Sequence, residues 1–341
     1  MLKILKSIFG SAAPQEGELP AALVAAATEK IIDGTDPRLR LISGYKKRLR
    51  EAVTCSIRYA QDAALVLGPP LELSRQTFRS DPQVRAFFGN MDGIDTVFGT
   101  SPQVRNFMSR IENATLDYVF AGMRMERREK QTLAPALRGD RVEMDVLRTA
   151  VNFSNKVIVL PAASEAMLHQ ELKERIFMTL VERSLHQLTS IKVKKLGLEK
   201  QRTLLRRKLK HLQARGLGME PFTDTRPKDE EDFASIERRL EETEDELRET
   251  AASIETLEDY LVQINKVMSR PDEHVRIRHG STWMTPMGFK VTSDVPEDGN
   301  EIFYTEINVG ETANFVGRLV KFPRREMSPV QGSRNSRGLR G

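Results

Sequence analysis

The side chains able to do chemistry are few and scattered. His274 and His279, with Asp272 and Glu273 beside them, are the densest group of candidate metal ligands. Their spacing matches no zinc motif, and five residues apart on a strand sets the two rings on opposite faces. His169 beside Glu171, and His186 near Glu182, lie in helical sequence where a solvated surface accounts for them. Asn90-Met91-Asp92-Gly93-Ile94-Asp95 matches part of a calcium loop but lacks the first carboxylate and the closing Glu. Arg215-Gly216-Leu217-Gly218 lacks the third glycine and the preceding strand of a dinucleotide fingerprint. No phosphate loop ending in Lys-Ser/Thr occurs, and no serine sits in a strand–turn–helix elbow. Cys55 is the single cysteine, so an internal disulfide and a cysteine zinc site are excluded. Its place on the apolar side of a predicted helix makes it a small core residue. The expectation is no cofactor, no metal and no catalytic residue, which leans away from an enzyme.

The elements that would position any site are read from pattern. A chain of 341 residues carries a prior of about two domains. With 39% hydrophobic and 30% charged residues and a mean hydropathy of −0.43, it is charge-rich yet apolar enough to fold. No apolar run approaches the roughly 18 residues of a spanning helix, and a cytoplasmic location fits the single cysteine. Net charge is +5, from 53 Lys and Arg against 48 Asp and Glu. The tail 324–341 alone holds five arginines against Glu326, leaving the body nearly neutral. With no apolar face to bury, that tail is expected to be a disordered basic segment.

Residues 1–9 read MLKILKSIF, predicting an amphipathic helix with Leu2, Leu5 and Phe9 on one stripe and Lys3 and Lys6 facing away. Such a helix suits an anionic membrane surface at the inner face; the competing reading docks it on the protein's own core. Residues 10–19 form a linker, and 20–112 a helical segment. Pro20 opens a helix over Ala21–Ile32, and Asp36-Pro37 starts a second. The second helix has a stripe of Ile42, Tyr45, Leu49, Val53, Ile57, Ala60 and Ala64, and it stops at Gly68-Pro69-Pro70. An internal echo, Pro82-Gln83-Val84-Arg85 against Pro102-Gln103-Val104-Arg105, predicts two similar short helices. A duplicated binding element presenting Arg85 and Arg105 is the alternative.

Two β segments follow. Residues 113–161 contain predicted strands at Tyr118–Met125, Thr132–Leu137, 142–146 and Val157–Leu160. There Val142, Met144 and Val146 alternate with charges as one half-buried face, and Arg138-Gly139-Asp140 forms a hairpin tip. Residues 275–323 contain Val275–His279, Phe289–Val291, Glu301–Val309 and Phe315–Phe322. Neither set has a large core alone, so both are expected to pair into one mixed or antiparallel sheet.

Between them, 163–270 carries the strongest pattern. Phe233, Ile236, Leu240, Thr243, Leu247, Thr250, Ile254, Leu257, Leu261, Ile264 and Met268 keep unbroken spacings of three and four. Phe177, Val181, Ser184, Leu188, Ile191, Lys195, Leu198, Arg202, Leu205, Leu209 and Leu212 keep the same rhythm upstream. Folded back antiparallel, Leu212 falls beside Phe233 and Phe177 beside Met268, a stretch of roughly 50 Å at 1.5 Å per residue. Residues 190–216 hold ten Lys and Arg against Glu199, a net +9. Residues 228–260 hold fourteen Asp and Glu against four Lys and Arg, a net −10. Opposite charge selects this pairing and penalises the others.

The expected fold is therefore α+β and mainly helical. It has an N-terminal helical segment, a split β sheet, and a long antiparallel coiled-coil hairpin inserted between the sheet's halves. The connection 213–232 is long and places Met219, Pro221 and Phe222 at the tip as candidates for partner contact. The leading functional expectation is a non-catalytic interaction or scaffold protein whose partner is another protein, peripheral to the membrane through residues 1–9. Homodimerisation through the coiled coil is a variant of it. The alternative is a nucleic-acid-associated protein using the basic arm and the Arg-rich tail, and an enzyme of unknown class comes third.

Overall fold

The computed structural model describes residues 19–138, 141–216, 233–292, 298–311 and 313–327. The chain is mixed helix and strand and divides into two compact units. Among the described residues, the first comprises Ile57–Met178 and 271–327; the second comprises 19–56 and Thr179–Arg270. The helical segment 20–112 is thus shared between them.

The first unit is built on a six-stranded sheet. Its strands are β1 (Leu71–Glu72), β2 (Tyr118–Arg138), β3 (Arg141–Ala162), β4 (Val275–Met284), β5 (Asn300–Val309) and β6 (Ala313–Pro323). The order is β3-β2-β6-β5-β4, with β1 parallel to β6 and the other pairs antiparallel. The two halves of the chain meet where β2 pairs β6, from Tyr118 opposite Pro323 to Met125 opposite Val316. The four short strands expected over 118–160 are two long ones, because the apolar alternation resumes after each interruption.

Those interruptions are bulges. The β2–β3 register shifts between Phe120 and Gly122, between Arg124 and Glu126, and between Ala134 and Ala136, each time with an extra residue on β3. At the three shifts β3 carries Leu160, Asn155 and Asp145 with φ of 53°, 50° and 59°. A left-handed residue absorbs the additional backbone and sharpens the local twist. Predicted strand Phe289–Val291 makes only isolated bridges, to Ala150 and to Met284. Through it the edge strands β3 and β4 are joined: Val151 N–H donates to Gly288 O (2.8 Å) and Lys290 N–H to Thr149 O (2.8 Å).

One face of the sheet holds the larger core. Met123 and Met125 of β2, Phe153 and Ile158 of β3, Ile302 and Tyr304 of β5 and Val320 and Phe322 of β6 are buried there. Four short helices cover it: α3 (Arg75–Ser80), α4 (Pro82–Phe87), α5 (Met91–Thr100) and α6 (Pro102–Met108). Phe87 meets Phe153 edge-on at 4.9 Å and Phe98 stacks on Phe322 at 4.4 Å. Each such ring contributes about 2–3 kcal/mol by leaving water. The opposite face carries a smaller cluster of Leu67, Ala162, Leu168 and Leu319.

The second unit is helical. It contains α1 (Ala21–Gly34), a 3-10 turn Pro37–Leu41, and the start of α2 (Tyr45–Leu65). It also holds most of α7 (Glu165–Gly216), with α8 (Phe233–Ala252) and α9 (Leu257–Ser269). The helix expected to run on from Asp36 is divided: Asp36 caps the 3-10 turn by accepting from Arg38 N–H, and α2 starts only at Tyr45. Its apolar stripe nonetheless faces inward, with Leu49, Val53, Ile57, Ala60 and Ala64 all buried. Gly34 ends α1 hard against α7, where a Cβ would lie 2.5 Å from Val181 Cγ1.

The second arm of the predicted hairpin is not one helix. α8 stops at Ala252, and Thr256 starts α9 through a capping box with Asp259. The Thr256 hydroxyl accepts from Asp259 N–H at 3.3 Å, and the Asp259 carboxylate accepts from Thr256 N–H at 2.8 Å. Ile254 and Leu261 on either side are still buried, so the seam crosses the break. At the other end α7 is capped by Ser164, whose Oγ accepts from Met167 N–H.

Candidate functional site

Several residues singled out from sequence lie outside the described residues: Leu2, Lys3, Leu5, Lys6 and Phe9, the tip residues Met219, Pro221 and Phe222, the tip Gly139-Asp140, and the tail from 328. The tail's first residues are placed and ordered, which corrects the boundary at 324. Arg324–Glu326 is a 3-10 turn; Arg324 Nη1 donates to Asn113 O (3.1 Å) and Glu326 accepts from Arg75 N–H (2.7 Å).

The remaining candidates resolve into structural roles. The echoed arginines donate to carbonyls just before their own helices, Arg85 to Arg79 O (2.7 Å) and Arg105 to Thr100 O (2.8 Å). Asn90 of the calcium-like string caps α5, accepting from Gly93 N–H at 2.8 Å. Cys55 is exposed, not in the core, because it lies two residues from both Val53 and Ile57 and so turns away from their stripe. His274 ends the short α10 (Pro271–His274) and His279 lies exposed in β4. Among the described residues no three His, Cys, Asp or Glu side chains gather as for a metal ion. No described helix is long and apolar enough to cross a membrane. A cleft of about 600 Å³ in the first unit is lined by Gln103, Arg110, Leu160, Glu174 and Arg175 among others. Gln103 Oε1 is already spent there, accepting from Leu160 N–H at 3.2 Å.

Two surfaces carry recognisable interaction chemistry. On the second unit, basic α7 and acidic α8 are joined by Arg206–Glu244 (2.6 Å) and Lys194–Glu246 (2.7 Å). Leu188, Leu198 and Leu205 of α7 are buried, as are Ile236, Thr243, Leu247 and Thr250 of α8.

The other surface is the outer part of the β2–β3 ribbon, which sequence reading missed. Past Met125 the ribbon has left β6, and before Thr149 it has no bond to the 288–290 segment. Leu133 lies opposite Leu147, Ala134 opposite Val146, and Ala136 opposite Glu143. Asp145 is the extra residue, so Val146 crosses to the face of Ala134 and leaves Val142 and Met144 with Leu147. The expected half-buried face of Val142, Met144 and Val146 is therefore split. Leu133, Val142, Met144 and Leu147 are 62%, 64%, 69% and 61% exposed, and Pro135 on the same face is exposed as well. The reverse face is tied down by Arg148, which donates to Pro135 O (2.7 Å) and lies 4.2 Å over the Phe289 ring. No signal in single-sequence alternation reveals the bulge at 145.

No protein-family model matches the chain, and no curated protein matches it.

Proposed function

We propose that this is a non-catalytic protein–protein interaction or scaffold protein, whose α7 and α8 form an antiparallel coiled-coil hairpin that carries Met219, Pro221 and Phe222 to a partner. The observation that supports this is the pair of opposite-charge links between the arms. In the register that sets Leu212 beside Phe233, Arg206 falls opposite residue 239 and Lys194 opposite 251. Their partners Glu244 and Glu246 stand five residues away in opposite directions, so the two links straddle that register. A rod of this kind adds nothing to a pocket, and its use is reach. A cytoplasmic location, with residues 1–9 on an anionic membrane face, belongs to the same reading.

The test joins a distance to a partner. Spin labels at 191 and 254 are expected close together in a monomer at low concentration. Replacing 213–232 by a short turn is expected to preserve folding and to remove the proteins that co-purify with the intact chain. Labels far apart in a monomer would sink the hairpin, and an unchanged set of co-purifying proteins would remove the tip. Lys194 and Arg206 spend charge on the protein's own acidic arm, which weighs against that arm as a nucleic-acid surface.

A further inference from the structure

We propose that the outer β2–β3 ribbon is a homodimer contact, docking face to face on the same ribbon of a second copy and burying Leu133, Pro135, Val142, Met144 and Leu147 across a two-fold axis. This stands apart from the arm reading, since every residue in it belongs to the sheet unit.

Four observations lead there. An isolated two-stranded ribbon is marginal in water, and here the stretch between the Gln131–Thr149 pair and the Arg138–Arg141 pair has no third strand among the described residues. One of its faces is closed by Arg148 on Phe289 while the other is bare. Five apolar side chains at these exposures present on the order of 500 Å² of contiguous apolar surface, the upper range for a monomer. Two copies together would remove roughly 1,000 Å², the lower bound of a specific interface.

Edge-on strand addition fits poorly. Pro135 withholds a donor in the outer part of β2, and Arg128 and Lys130 guard the stretch before it. Charge then argues against a lipid or nucleic-acid surface, because the described cations on this face are bound to a neighbouring carboxylate. On the face of Leu133 the nearest charges inward are Arg127 and Glu129, paired with each other, and Glu129 also takes Lys290 at 3.3 Å. A two-fold axis through the stripe sets apolar surface on apolar surface, the match that a nearly neutral face calls for.

The test is sedimentation of the full chain across micromolar to hundred-micromolar concentrations. The intact protein is expected to dimerise reversibly. Leu133→Thr with Leu147→Thr, a cross-strand pair that a ribbon accommodates, is expected to weaken the dimer by about tenfold or more, since both sites lose apolar burial twice per dimer. Both positions are exposed, so far-UV circular dichroism and the melting temperature should stay near those of the intact chain. Met144 lies mid-stripe, so Met144→Cys in a Cys55→Ser background should oxidise readily to a disulfide-linked dimer. A chain monomeric throughout, a dimer indifferent to both Leu substitutions, or no cross-link at 144 would each overturn the proposal. Binding of monomers to anionic vesicles through this ribbon would overturn it in favour of lipid.

Discussion

Gly280 in β4 lies directly opposite Tyr304 in β5, and the phenol ring occupies the space a side chain at 280 would need. A Cβ there would come within 3.0 Å of Cδ2 and 3.1 Å of Cζ, and closer still to Cε2. The ring cannot swing aside: Phe153 packs 5.8 Å away, Arg127 lies over it at 5.2 Å, and its hydroxyl donates to Ser281 O. Burial also holds the Tyr304 phenol above its ordinary pKa. Gly280→Ala is therefore expected to destabilise the sheet unit by about 1–3 kcal/mol through overpacking, read as a lower urea midpoint. Gly89, with open space around its Cβ position, is the control and should accept Ala with little change.

Glu29 on α1 gathers Lys46 Nζ (2.7 Å), the Tyr45 hydroxyl (2.7 Å) and Arg40 Nη2 (2.9 Å). Lys46 first, then Tyr45 and Arg40, lower its carboxyl from 4.5 to about 2. A depressed acid contributes stability above its unfolded pKa and loses it as the pH falls through the folded one. Glu29→Gln should cost about 1 kcal/mol near pH 7, the size of a solvent-screened network. The gap between the two proteins should narrow steadily as the pH falls below 4.5 towards 2. Paired urea titrations at pH 7, 4 and 3 measure it; a gap that widens on acidification would show that the network does not stabilise the fold.

What sequence made legible follows from what each pattern measures. The buried stripe from Leu49 to Ala64 and the helices carrying Leu188, Leu198 and Leu205 and Ile236, Thr243 and Leu247 are readable because helical burial repeats every three or four residues. That the two β segments join in one sheet follows from half-sheets too small to stand alone; that β2 and β6 are the strands that meet does not. Three features escaped. Ile254 and Leu261 keep the seam's rhythm across the end of α8, so periodicity hides the break; Thr256-Leu257-Glu258-Asp259 was its only local sign. The bulges at Leu160, Asn155 and Asp145 depend on register between two strands and leave no mark in one of them. Val142 and Met144 are expected on a half-buried face and are exposed, because alternation reports which residues share a face, not whether anything covers it.

The break before α9 makes its own prediction. Thr256 is the only link in the capping box that a single substitution removes without touching charge. Thr256→Ala should cost about 1 kcal/mol, while Thr256→Ser should retain most of the stability. Hydrogen exchange should speed up at the first amides of α9, Asp259 N–H above all. If α8 and α9 instead merged into one helix in solution, exchange at residues 253–256 would slow and the Ala variant would be more stable.

The arms offer the sharpest test of pairing. Arg206 and Glu244 are partly exposed, so their ion pair is worth no more than about 1 kcal/mol. Arg206→Glu sets a carboxylate against Glu244 on an arm already strongly acidic, and should lower stability by about that amount. Glu244→Arg alone brings an arginine to a basic arm and should do the same. The double exchange restores opposite charges and should recover most of the loss, a coupling that one-sided damage to folding cannot produce. Raising the salt from 0.05 to 0.5 M should shrink the coupling, because the Debye length falls from roughly 14 Å to about 4 Å. If the pairing is internal, the coupling is the same at 1 and 50 µM protein. If it arises between chains, it grows with concentration, and the antiparallel hairpin gives way to exchanged arms.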